Sequence, residues 1–92
     1  MLTSIVLIDT DPGLIPEVAT QVANLPGVTE CYSVAGDVDL VAIVRVRSHE
    51  QLADVIADGI SKVPGVARTT TMIAFRTYSN NDLDQAFALG LE

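Results

Sequence analysis

The sequence predicts an α+β fold of the ferredoxin-like type, a βαββαβ chain whose four-stranded antiparallel sheet runs 4-1-3-2 with both helices on one face. Three observations predict it. "NLPGV" at residues 24–28 and "KVPGV" at 62–66 are near copies. Each copy follows a stretch with helical spacing, and Pro-Gly before Val marks a turn into a strand. "SIVLI" and "LVAIV" are the two most continuously apolar runs, as the two central strands of such a sheet require.

Residues 3–9, "TSIVLID", read as a buried strand that "TDPG" at 10–13 breaks. Leu14, Val18, Val22 and Leu25, flanked by Ile15 and Ala19, form one helical stripe. Pro16 fits only in the first turn, so the helix starts near Gly13 or Leu14, and Pro26-Gly27 ends it. Residues 28–35 form the next strand, with Val28, Glu30, Tyr32 and Val34 on one face and Thr29, Cys31, Ser33 and Ala35 on the other. "GDVD" at 36–39 is a tight connection into the strand 40–47. Ser48 and Gln51 make a capping box for a second helix, whose stripe is Leu52, Ile56, Ile60 and Val63. Gly59 weakens this helix by roughly 1 kcal/mol relative to Ala. Pro64-Gly65 ends it, and residues 66–78 are the last strand. These elements make one domain over 1–78, and the tail 79–92 is expected to form a short C-terminal helix beginning near Asn81 or Asp82.

Apolar residues make up 49% of this chain and charged residues 18%, more apolar surface than so small a domain can hide. Both faces of the central strands are apolar, which predicts a second sheet from another subunit packed on the face away from the helices. Twelve acidic against five basic residues give a net charge of −7, without the cationic face that DNA or anionic membranes attract. Cys31 is the single cysteine, so no internal disulfide is available. The N-terminus lacks the pattern of a signal peptide or a membrane span, and a cytoplasmic protein is expected.

Few residues point to chemistry. His49 follows the expected helix cap with no nucleophile placed beside it, and Cys31 has no neighbouring base. No metal or nucleotide motif is present, and no cofactor is expected. Asp37 and Asp39 in "AGDVDL" stand out. Gly36 permits a backbone turn whose N–H groups can hold an anion, while Asp39 at the start of a central strand calls for a cation. An α-amino acid offers both charges. The same four residues also make an ordinary hairpin turn, and spacing does not separate the two readings. Thr69 and Thr71 share a strand face and can finish a polar pocket or simply favour the strand.

"GVTECYSVAGDVDLVAIVRV" (27–46) followed by "VPGVARTTTMIAF" (63–75) resembles the effector-binding (RAM) domain of the Lrp/AsnC transcription regulators. That resemblance, over about residues 3–78, implies dimers formed by sheet packing, rings of dimers, and an amino-acid effector bound between dimers. It implies Gly36, Asp37, Val38 and Asp39 as the ligand loop and Thr69 and Thr71 as wall residues. Typical members carry a helix-turn-helix domain first. The early start of the first strand implies the stand-alone form, which acts without binding DNA, its regulatory output passing through a full-length Lrp/AsnC regulator. Two alternatives stay open: a small enzyme of the dimeric α/β-barrel type, such as a monooxygenase, and a purely structural assembly unit. The aliphatic interior disfavours the enzyme, and no enzymatic activity is expected.

Overall fold

The computed structural model describes residues 1–80. Its elements are β1 (Leu2–Thr10), α1 (Ile15–Ala23), β2 (Val28–Ser33), β3 (Leu40–Val46), α2 (His49–Ala53) and β4 (Val66–Ile73). The helix expected from Asn81 or Asp82 onward lies outside the described residues. The sheet runs β2-β3-β1-β4, which is the expected order read from the other edge, and every pairing is antiparallel.

Strand alternation sets the layers. Val6 and Ile8 of β1 and Leu40, Ala42 and Val44 of β3 are fully buried against Val18, Val22, Leu52 and Ile60 of the helical layer. The interlayer space is therefore filled by aliphatic side chains. Ser4 shares that face, and its hydroxyl donates to the Met72 carbonyl at 2.9 Å, which removes the penalty of burying it. On the opposite face Ile5, Leu7, Val41 and Ile43 are only half-buried, and no element among the described residues covers them.

The helices follow their stripes with one departure. Pro16 lies in the first turn of α1, where its missing N–H costs nothing. Ser48 caps α2, its hydroxyl accepting from the Gln51 N–H at 3.2 Å. The reciprocal half of the box shifts by one residue, since the Gln51 side chain accepts from the Arg47 N–H at 2.7 Å. Beyond Ala53 the expected α-helix widens into a π-helical stretch, Asp54–Gly59, and closes with a 3₁₀ turn, Ile60–Lys62. Leu25 from the end of α1 packs on Gly59, where a Cβ would stand 3.2 Å from its Cδ1. The wider turn leaves Ile56 half-buried while Leu52, Ile60 and Val63 remain in the core.

Two strands are shorter than their β-propensity implies. β2 stops at Ser33, and a register shift between Val28 and Glu30 moves Val28 onto the helix face with Cys31. The expected grouping of Val28 with Glu30 and Tyr32 is thus overturned by one bulged residue, Thr29. β4 stops at Ile73, with the Ala74 N–H adding one bond to the Thr3 carbonyl at 2.9 Å.

The repeated corners are structural equivalents. Gly27 and Gly65 have φ of 93° and 99°, a region L side chains rarely enter. A Cβ on Gly27 would meet Val55 Cγ2 at 2.9 Å, and one on Gly65 would meet Val18 Cγ2 at 2.8 Å. The Gly27 carbonyl accepts from the Arg45 N–H at 2.9 Å, and the Gly65 carbonyl from the Asp11 N–H at 2.8 Å. Each corner thus closes on the helical layer and backbone of the other half.

Candidate functional site

The hairpin between β2 and β3 is pinned at its base and open at its tip. The Val34 N–H donates to the Asp39 carbonyl at 3.1 Å, and the Asp39 N–H donates to the Ile8 carbonyl at 3.1 Å. One Asp39 carboxylate oxygen, Oδ2, accepts from the Thr10 N–H at 2.9 Å and lies 3.4 Å from its hydroxyl. Asp39 therefore ties the hairpin to the end of β1. Among the described residues the backbone N–H groups of Ala35, Gly36, Asp37 and Val38 donate to no acceptor. Gly36 has φ of 140°, with nothing within 4 Å of a would-be Cβ, and Asp37 is exposed beside it while Val38 is half-buried.

Thr69 and Thr71 stand on β4, on the far side of β1 from this hairpin. Thr69 pairs with Ile8, which on its other side pairs with Leu40, so Thr69 and Asp39 sit at the same end of the sheet. Two strand spacings put them roughly 10 Å apart. Thr71 pairs with Val6, farther from that end, and is exposed. The loop and Thr69 share a neighbourhood in one chain, whereas Thr71 stands outside it.

Three residues at this end escaped the sequence reading. Thr10 is buried and holds Asp39. Arg68 donates from Nε to Asp9 Oδ2 at 3.1 Å, and its Nη2 lies 3.0 Å from the same oxygen in an ion pair, linking the ends of β4 and β1. That guanidinium is 77% exposed, so the pair itself adds little stability. The signal for Asp9 and Arg68 was their place just inside adjacent strand ends, which only the sheet register reveals.

Elsewhere the chemistry is sparse. His49 is exposed at the start of α2. Burial pushes the Cys31 thiol above its ordinary pKa, the opposite of what a nucleophile needs. The Tyr32 phenol is also raised, first by its hydrogen bond to Glu30 and then by that carboxylate's charge. Among the described residues no three His, Cys, Asp or Glu side chains come together as metal ligands, and no helix is long and apolar enough to cross a membrane. A cleft of about 370 Å³ opens at the opposite end of the sheet, against Gly27, Val46 and Val55.

Residues 3–83 match the family model of the Lrp/AsnC ligand binding domain. An uncharacterized HTH-type transcriptional regulator of Pyrococcus horikoshii is 41% identical over 78 residues, covering 82% of this chain and 52% of the regulator. The chain spans about half the length of the curated relatives it matches. A crystal structure from Thermus thermophilus superposes with a TM-score of 0.81 at 44% identity, covering 86% of this chain and 99% of that one. A Neisseria meningitidis transcriptional regulator, solved as a complex with L-Met, has a TM-score of 0.77 at 14% identity over 85% of this chain and 52% of its own, a likeness of fold alone.

Proposed function

This chain belongs to the Lrp/AsnC ligand-binding-domain family, and from that membership we propose that it is a non-enzymatic module that senses a free amino acid and assembles into dimers and rings of dimers. Its setting is the cytoplasm, and its output is regulation through a full-length Lrp/AsnC regulator rather than DNA contact of its own. The observation that carries the ligand reading is the pinned but open hairpin. Four consecutive N–H groups, from Ala35 to Val38, have no acceptor among the described residues and can receive an α-carboxylate. Asp39 Oδ1 has no partner there and can receive the ammonium. Gly36, Asp37, Val38, Asp39 and Thr69 line this half-site, with the facing wall supplied by a neighbouring dimer. Thr71 is retained as a residue of that wall. The L-Met bound to the Neisseria regulator is a ligand of the same chemical class.

The assembly reading is supported by the uncovered face of Ile5, Leu7, Val41 and Ile43, which a second copy would bury sheet to sheet. A thermal-shift screen against the twenty amino acids tests the ligand reading, because a ligand that binds only the native state raises the melting temperature by mass action. A rise with one amino acid, saturating with concentration, is expected. No rise with any of them removes the sensing role and leaves assembly.

A further inference from the structure

Among the described residues the aromatic side chains lie where a lone domain has no use for them. Tyr32, Phe75 and Tyr78 are 49%, 98% and 84% exposed, while the core formed by the described residues is aliphatic. Phe75 is not simply at a loose end, because the neighbouring Ala74 N–H is bonded to the Thr3 carbonyl. Large aromatics fixed on a surface are the usual anchors of protein interfaces.

A cleft at the end of the sheet where β4 stops, the end that Phe75 follows, fits such an anchor. Pro26, Gly27, Val46 and Val55 give it an apolar lining, and Arg45 and Arg47 stand on its walls. Neither guanidinium makes an ion pair among the described residues. Guanidinium groups stack on aromatic faces, so a ring entering this cleft meets both apolar contact and cations. Asp54 also lines the cleft and offers the opposite charge to Arg76, which follows Phe75.

We propose that residues 75–78 form an arm that docks Phe75 into the cleft of a second copy of this chain. Its own cleft lies across β1, at the end of β3, and Phe75 remains 98% exposed where it stands. Arg45 also lies on the open sheet face, so the cleft borders the surface proposed for dimer packing. Met72, three residues before the arm, shares that face beside Ile5. An arm at the rim of a sheet-to-sheet dimer crosses naturally to the partner. This inference rests on the assembly reading above.

Disulfide trapping in the full chain tests it. With Cys31→Ser as background, one tagged copy carries Thr77→Cys and a differently tagged copy carries Asp54→Cys. The two are co-expressed and mildly oxidised. A cross-link between the two tags is expected, since a disulfide needs Cα atoms within about 7 Å. Adding Phe75→Ala should lower the cross-linked fraction and weaken association by about 30-fold, the usual effect of truncating an anchor aromatic. A dimer by sedimentation without the cross-link overturns the arm but leaves the assembly reading. An intrachain cross-link in the Thr77→Cys/Asp54→Cys double variant, without the interchain one, overturns it in favour of docking within one chain. A monomer sinks both.

Discussion

One carboxylate oxygen of Asp39 is already engaged by the Thr10 N–H, so the residue has a structural duty beside any ligand duty. Asp39→Asn keeps an oxygen acceptor for that N–H and removes the charge. Its affinity for the amino acid found by screening should fall by roughly 10- to 150-fold, the loss of one charge-assisted hydrogen bond of about 1.5–3 kcal/mol. Its unfolding midpoint in urea should barely move. Asp39→Ala, by contrast, leaves the Thr10 N–H unpaired in a buried residue and should cost about 1–3 kcal/mol of stability as well. Calorimetry and urea titration on both variants separate the two duties, and unchanged affinity in Asp39→Asn removes this residue from the site. Glycines offer a cleaner contrast. Gly65→Ala meets Val18 at 2.8 Å from a positive φ and should cost about 1–3 kcal/mol. Gly13→Ala, with nothing within 4 Å and no positive φ, should stay within about 0.5 kcal/mol of the parent. Equal effects of the two in urea would mean that the corner geometry is not what selects glycine.

At the scale of elements, legibility depended on period. The stripe of α1, the capped start of α2, the two corners and the strand order were readable because each rests on several residues agreeing on one pattern. What was not readable rests on single residues. One extra residue at Thr29 turned the faces of β2, and nothing in "VTECYS" marks it. The π-helical stretch after α2 ends at Gly59, against which Leu25 of the other half packs, a contact that no local window contains. The candidate loop was legible as turn chemistry, but the roles of Thr10 and Arg68 required the register of β1 with its neighbours. For β3, alternation made both Val41 and Ile43 outward residues, as its buried partners Leu40, Ala42 and Val44 demonstrate. Val41 faces away between Leu7 and Tyr32. Val41→Lys should therefore leave the single chain folded, with an unchanged far-ultraviolet spectrum, yet shift sedimentation equilibrium toward monomer. A wild type already monomeric at micromolar concentration would contradict the sheet-packed dimer.

For the molecule as a whole, charge decides what it meets at long range. At −7, this chain should be repelled by a duplex, and a gel shift at physiological salt should show no complex with the purified protein. A salt-sensitive shift would refute that. The corners described above carry a different consequence. Gly27 is seated against Val46 and Val55, and Gly65 against Leu14 and Val18, so each half's turn is completed only by the other half. The halves are joined through the exposed residues 35–37. Two peptides, 1–36 and 37–92, should each be disordered alone, since neither contains the surface that finishes its own corner. Mixed in equal amounts, they should recover the far-ultraviolet spectrum of the intact chain. A cut at the hairpin tip would then convert a folding reaction into a bimolecular binding reaction, with a midpoint that rises with peptide concentration. A peptide that folds by itself would show that the interlock is dispensable.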